Sequence, residues 1–543
     1  MQNFLQKLDK LAGIETENKW TKWLERLVFF FLTLMVLFAP HTIAATESAW
    51  LLGMTFWAIR IFVQPRPRFV KMPLNIALAA FIGWTVLTCV FSYAPDISID
   101  RLRSVSVVFT FFFLVHNLRT KRAAIFLAFA LIFSCMVNVV WTSVERIVGR
   151  GVEIENVKPD SPLAKVGLIN GDALLKADGK KIYSPEGLEA EIERNETTDI
   201  YFYRPDFYFT VTVHKSDLLG GSSALEKLGI GNWKHSRNWR SQGFFRHWAT
   251  YSEILQLLAS LTFGILIALF LARKRIVSQK SEVGNRSKKD SQSDYQLPIT
   301  NYQLSITNYQ LLFAVCLGGM LFALLLTTTR ASQIGFILSA FAIVWLTGKR
   351  KWLLALAAVV LPLAIVGFVY LEQARNVGVV DADDGSTQYR MMMYRDGFRL
   401  WAESGRNVLL GVGMDSIKRY WREWHLFDNG WQPMGHFHST MLQLLVERGL
   451  PALLLWLWVL WLYARMLWRK FQIPNLENDN HNLYDWRSNG ILLGCFGGLI
   501  GFFSSSLVQN NLGDTQVATV FYILMGLSVY LIVNGSLMVN GKW

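Results

Sequence analysis

Three stretches of this 543-residue chain hold side chains that could do chemistry together. The first is Thr327-Thr-Thr-Arg330-Ala-Ser, where Arg330 stands between two apolar runs. An arginine so placed is costly unless it faces a polar cavity or an anion, or snorkels to an interface; this stretch alone leaves both readings open. The second is Gln388-Tyr-Arg390-Met-Met-Met-Tyr394-Arg395-Asp-Gly-Phe-Arg399-Leu-Trp401-Ala402. Its apolar positions 391, 394, 398, 401 and 402 recur at helical spacing. At about 100° per residue, Arg390 and Arg395 border that face on opposite sides, so both are candidates for gripping an anion. Arg399 points further toward solvent and reads as a solvated charge.

The third stretch is His436-Phe-His438-Ser-Thr-Met-Leu-Gln-Leu-Leu-Val-Glu447-Arg-Gly449-Leu-Pro451. Ser439 or Thr440 is suited to cap a helix here, which puts His438 at the helix N-terminus. The positive end of the helix dipole disfavours imidazolium, so His438 is expected to stay neutral and able to accept a proton. His436 is a secondary candidate. Glu447 lies nine residues on, half a turn round the helix from His438, and reads as structural rather than as its acid-base partner. Gly411-Val-Gly413, between the second and third stretches, reads as a turn. No metal is expected. The two histidines lack a third ligand at suitable spacing, and Asp381, Asp383 and Asp384 lack the calcium-loop pattern.

These stretches need a scaffold, and composition says which kind. The chain is 52% hydrophobic and 14% aromatic with only 17% charged residues, too apolar for an ordinary soluble enzyme. Its apolar residues fall in blocks long enough to cross a bilayer. Twelve such blocks start near Leu27, Ala49, Asn75, Ser104, Ala123, Tyr251, Gln310, Gln333, Leu353, Leu450, Ile491 and Val517. The fold class expected is therefore an all-α polytopic membrane protein with about twelve transmembrane helices and one small α+β insert. Arg60, inside the second block, is expected to snorkel. The net charge of +14 sits mostly in short clusters between blocks, which argues for membrane orientation and against nucleic acid. Arg66, Arg68 and Lys71, then Arg119, Lys121 and Arg122, then Arg273 to Arg275, Lys349 to Lys351, and Arg469 and Lys470 all fall on one side if the N-terminus is cytoplasmic. That asymmetry puts both termini inside. The four cysteines lie in apolar blocks and form no zinc-ligand or CxxC spacing.

The expected organisation is helices 1 to 5 over residues 1–145, a folded insert over 146–218, and a connector with helix 6 over 219–272. A cytoplasmic linker follows over 273–308, then a catalytic membrane region over 309–543 with an outside loop at 371–440. The linker contains most of a short duplication, Ile299-Thr-Asn-Tyr-Gln-Leu304 and Ile306-Thr-Asn-Tyr-Gln-Leu311, and reads as flexible. The insert alternates strand-like residues with turn signals at Gly167-Leu-Ile-Asn-Gly-Asp172 and Asp178-Gly179. On Ser161, Pro162, Ala164, Gly167, Leu168, Gly171, Asp172 and Gly179 it resembles a bacterial PDZ domain. That resemblance implies capture of an extended peptide or protein partner at a sheet edge; a rigid spacer is the alternative. No His-Glu-x-x-His or Gly-x-Ser-x-Gly occurs, so a protease is not expected.

Thr-Arg330-Ala-Ser opening a span, Arg390 with an aromatic residue four positions on, Gly411-x-Gly413, and His438-x-x-x-Leu442-x-x-Leu-x-Glu447-x-Gly449-Leu-Pro together resemble the O-antigen ligase and polymerase superfamily, over about Leu312 to Val533. The resemblance implies a GT-C-like membrane fold in the bacterial inner membrane. It implies a periplasm-facing site that takes an undecaprenyl-pyrophosphate-linked glycan as donor and passes it to a glycan or lipid acceptor, as in lipopolysaccharide or surface polysaccharide synthesis. It places the catalytic base on His438 and pyrophosphate binding on Arg330 and Arg390, with Arg395 competing because extra residues stand around Glu403 to Asn407. Such a transfer needs no metal and no cofactor and inverts the anomeric carbon. The rival reading is a polysaccharide or lipid transporter, or a PDZ-bearing membrane scaffold, without catalysis.

Overall fold

The computed structural model describes residues 2–64, 69–204, 207–245, 247–287, 299–348, 351–354, 357–358, 385–431, 435–472 and 485–540. The chain divides into two compact units. The larger comprises Met1–Asn138, Phe244–Leu325 and Thr329–Trp543, and the smaller Val139–Gly243 with Leu326–Thr328.

The larger unit opens with α1 (Gln2–Ala12), α2 (Lys19–Phe38), α3 (Ile43–Phe62), α4 (Pro73–Val90), α5 (Pro95–Val105), α6 (Phe109–Asn117) and α7 (Lys121–Val148), the last running on into the smaller unit. Among the described residues seven helices are long and apolar enough to cross a membrane, which makes this a multi-pass membrane protein. They include α4 and α7. About twelve were expected, and the differences have physical reasons. The block near Ser104 is broken into α5, a 3-10 turn at Ser106–Val108 and the nine-residue α6, too short in any piece. α2 carries Lys19, Lys22, Glu25 and Arg26, and α3 carries Glu47 and Arg60. The block near Leu353 lies almost wholly outside the described residues, as do Arg66, Arg68, Lys349 and Arg350.

Arg60 does not snorkel. It is 4% exposed and donates through Nε and Nη2 to Glu25 at 2.9 and 2.8 Å, and through Nη1 to the Val63 carbonyl at 2.9 Å. Arg119 completes the cluster, reaching both Glu25 oxygens at 2.9 and 2.6 Å. A buried guanidinium is tolerable when its charge and its hydrogen-bond donors are answered nearby, and Glu25 of α2 and the Val63 carbonyl answer them.

The smaller unit is a six-stranded antiparallel sheet with short helices. Its elements are β1 (Arg150–Val157), α8 (Pro162–Lys165), β2 (Ala173–Ala177), β3 (Lys180–Lys181), α9 (Pro185–Arg194), β4 (Thr197–Arg204), β5 (Phe207–His214), α10 (Ala224–Leu228) and β6 (Ile230–Ser236). The strand order is β5-β4-β2-β1-β6, with β3 on β2. The alternation in the sequence is the cause, since Val152, Ile154, Leu174, Ile200, Phe202 and Val213 all point into one core with Leu188 and Ile192 of α9. Ser161 caps α8 by accepting the Ala164 amide, and buried Asp172 is clasped by Arg204 at 2.8 and 2.7 Å. Because β6 pairs with β1, the insert extends well past residue 218, into the expected connector.

The larger unit resumes with α11 (Trp248–Ser287), α12 (Ile299–Leu326), α13 (Arg330–Leu346), α14 (Gly385–Ala402), α15 (Gly405–Leu410), α16 (Ser416–Tyr420), α17 (Thr440–Gln472), α18 (Trp486–Ser506) and α19 (Thr515–Asn540). The duplicated Ile-Thr-Asn-Tyr-Gln-Leu segment is part of α12 and not a flexible linker. Its seven-residue period is two helical turns, so the repeated residues return to one face. α11, α12, α17, α18 and α19 qualify as spans, whereas α13, at 17 residues, falls short. α11 and α18 pack closely because both are glycine-bearing. A side chain on Gly264 would strike the Gly494 backbone.

Candidate active site

The site is built on a break in α17. Pro451 has no N–H to offer the Glu447 carbonyl, and Gly449, at φ 75° and ψ 174°, turns the chain out of helix before Leu450 can serve the Val446 carbonyl. The two freed acceptors are taken by the loop after α15. The Val412 amide donates to Val446 O at 2.9 Å, and the Gly413 amide to Glu447 O at 2.8 Å. Glu447 adds its own Oε1, which accepts the Asp415 amide at 2.8 Å. Gly411 and Gly413 are therefore more than a turn. A side chain at Gly411 would collide with the Glu447 and Arg448 backbone, and one at Gly413 with Ser92. Ser92, from the α4–α5 connection, and Ser98, in α5, close the loop from outside. Ser92 Oγ lies 2.8 Å from Ser416 Oγ, and Ser98 Oγ donates to Met414 O at 2.7 Å. Glu447 is 3% exposed and occupied in this clasp.

The other end of this half-helix presents the histidines. Ser439 caps α17, its Oγ accepting the Leu442 amide at 3.3 Å. Thr440 is pinned by its amide to Gln509 O at 3.0 Å and by its hydroxyl to Asn511 Oδ1 at 2.8 Å. Phe437 is fully buried and its amide donates to Gln443 Oε1, so the residues on either side of it, His436 and His438, emerge together. Their rings lie 4.2 Å apart at 64°. The His438 amide donates to His436 Nδ1 at 3.2 Å, which requires that nitrogen to be unprotonated.

His438 is held neutral, as expected, but the helix end is not the main reason. Desolvation pushes its pKa down to about 3, with further lowering from His436, Arg390 and His247. His436 is lowered too, by desolvation first, then by Lys418 and His247. His438 is exposed, so an incoming group can reach it.

The arginines divide. Arg390, in the N-terminal half of α14, is close enough to act on His438. Arg395, its competitor, is 76% exposed and pairs only loosely with the neighbouring Asp396, at 3.6 Å. Of the two, Arg390 is the one whose charge acts on His438. Arg399 is not a mere solvated charge. It donates to His425 O at 2.8 Å, steadying a turn in which His425, Phe427, Asp428 and Asn429 all have positive φ, while buried Asp396 accepts the Phe427 amide at 2.9 Å. Tyr394 hydrogen-bonds through its hydroxyl to the Leu507 carbonyl and ties α14 to the end of α18.

Arg330 is the first residue of α13. Two residues on, Ser332 Oγ lies 2.9 Å from Ser252 Oγ of α11, and His247, just before α11, acts on both His436 and His438. His247 has no motif around it, and sequence reasoning passed over it. Its one legible signal is its place immediately before an apolar block. Among the described residues no three His, Cys, Asp or Glu side chains converge as a metal site, and Asp381, Asp383 and Asp384 lie outside them.

Residues 312–457 match the model of the O-antigen ligase family. The match takes in Arg330, Arg390, the Gly411–Gly413 loop, the two histidines, Glu447 and Gly449, and ends short of the expected limit near Val533. The O-antigen ligase family is a family of enzymes. No curated protein matches the chain.

Proposed function

We propose that this protein moves a glycan from undecaprenyl pyrophosphate to an acceptor hydroxyl at the periplasmic face of the bacterial inner membrane. In this reading both termini are cytoplasmic, the membrane part has about twelve helices of GT-C-like arrangement, and the small unit is a PDZ-like domain available to a peptide partner. The single observation that supports the reading is the histidine pair just before the Ser439 cap of α17, with the His436 and His438 rings 4.2 Å apart and His438 exposed.

The chemistry follows from those groups. The acceptor O–H gives its proton to the His438 imidazole as its oxygen attacks the anomeric carbon. The bond from that carbon to the pyrophosphate oxygen breaks, and the electron pair leaves on the lipid pyrophosphate. That leaving group is a stable anion, so what it needs is matching positive charge, and Arg390 and Arg330 supply it through planar, multi-donor guanidinium groups. Attack opposite the leaving oxygen inverts the carbon. No step calls for a metal or cofactor.

The test is His438→Ala in the purified full-length protein, with a lipid-linked glycan donor and isolated acceptor. Loss of at least about a hundredfold in transfer, with donor binding retained, is expected for removal of a general base. Transfer at an undiminished rate would end the proposal.

A further inference from the structure

Next to the histidines lies an aromatic surface that the transfer chemistry does not use. Tyr93, from the α4–α5 connection, meets Trp424 edge-on with ring centroids 5.6 Å apart. Tyr420, the last residue of α16, tilts against the same indole at 5.1 Å, and its hydroxyl donates to Tyr93 O at 3.3 Å. Tyr93 remains 43% exposed, and Tyr420 and Trp424 are half-buried. The rim is charged in both signs. The Arg406 guanidinium covers Tyr93 at 4.0 Å, and Arg419 forms a two-pronged pair with Asp96 at 2.9 and 2.6 Å.

This patch is continuous with the site. Lys418, two residues before Tyr420 on the same helix, packs its aliphatic stem on Gly435 and acts on His436. On the other flank, Arg399 donates to the Trp424 and His425 carbonyls from the far part of α14, nine residues or about 13.5 Å along the helix from Arg390. The patch is therefore set away from the arginine that faces the departing pyrophosphate. A half-exposed aromatic cluster ringed by mixed charge is poorly matched to an acyl chain, which would leave Arg419 and Asp96 facing hydrocarbon. It suits a molecule with an apolar face and hydroxyls at its edges, which is what a sugar ring presents.

We propose that Tyr93, Tyr420 and Trp424 form the seat that binds the sugar rings of the acceptor. This inference rests on the glycosyl-transfer reading above and adds the acceptor's seat.

The test compares Tyr420→Ala and Tyr420→Phe in the full-length protein in micelles, with a lipid-linked donor and either an oligosaccharide or a hydroxyl-bearing peptide as acceptor. Losing one stacked ring should raise the KM for the oligosaccharide about tenfold. The donor KM should stay unmoved, which also shows that the variant is folded, and kcat should change by less than about twofold. Tyr420→Phe keeps the ring and should restore the low acceptor KM, and the peptide should not serve as acceptor. An acceptor KM unchanged in Tyr420→Ala, or a peptide used as well as the oligosaccharide, would overturn the proposal. His438→Ala separates the two levels. If it abolishes transfer while Tyr420→Ala changes nothing, the aromatic seat fails alone; if it leaves transfer intact, the reading beneath has failed.

Discussion

The strongest consequence of the histidine environment is the shape of the pH profile. Desolvation, then His436, Arg390 and His247, hold His438 at a pKa of about 3, far below the ordinary imidazole. A base acts only when unprotonated, so activity is lost as pH falls through the pKa of the working group. With an ordinary imidazole of pKa about 6.5, only about 3% would be neutral at about pH 5, and kcat/KM would fall about thirtyfold between about pH 7.5 and that point. With the site as built, about 99% is neutral at about pH 5, and the rate should be flat across that range. The assay is transfer from a lipid-linked glycan in micelles, with kcat/KM for the acceptor measured over the same span. Arg390→Gln removes one of the groups that disfavour the imidazolium, so the acid limb should move up. It should stop short of the ordinary value, because desolvation is the larger cause. A wild-type limb with a midpoint near about 6.5 would refute the argument that buried surroundings and neighbouring bases keep His438 neutral.

Other substitutions separate chemistry from scaffold. Arg390→Ala should raise the donor KM and cut kcat/KM by about tenfold or more, the worth of a charge-assisted hydrogen bond, while Arg395→Ala should match wild type; equal losses would show that both arginines serve the site. Glu447→Gln keeps an oxygen for the Asp415 amide and should retain transfer, whereas Glu447→Ala should lower the melting temperature; inactivity of a stable Glu447→Gln protein would make Glu447 catalytic. Gly411→Ala should cost about 2 kcal/mol or more, read as a lower melting temperature, because its new methyl meets the α17 backbone. Arg60→Ala leaves buried Glu25 with Arg119 alone and should destabilise the protein by about 3 kcal/mol without altering transfer by the folded fraction.

What the sequence made legible was what local periodicity encodes. Ser439 marks the cap of α17 and the alternation through Val152 and Ile154 marks β1, but the face expected of α14 is not the buried one, since Met391 and Phe398 are exposed while Met393 and Leu400 enter the core. The rest depends on partners tens to hundreds of residues away. Nothing around Ser92 announces that it will meet Ser416, and Gly411-Val-Gly413 has the composition of any turn until the Glu447 backbone lies against it. Arg60 was misjudged for the same reason, since snorkelling is the local solution and Glu25 is the distant one. His247 is the plainest case. A single histidine before an apolar block has no pattern to read, and its action on His436 and His438 arises only in the folded chain.

The scaffold and the chemistry meet in one local conflict of the chain with itself. A helix that ran unbroken from Thr440 through Pro451 would waste the Glu447 carbonyl, because proline cannot donate to it. Breaking at Gly449 frees a second carbonyl, at Val446, and two acceptors exposed inside a membrane protein are costly unless donors arrive. The donors that arrive, the amides of Val412 and Gly413, fasten the loop that leads to α16 against the half-helix that carries His438 at its other end. The backbone defect is thus what fixes the base relative to the loop. It follows that restoring a continuous helix, by replacing Gly449 and Pro451 together with alanine, should shorten the list of freed carbonyls and yet abolish transfer. The loop would then have lost its only two backbone acceptors on α17 among the described residues.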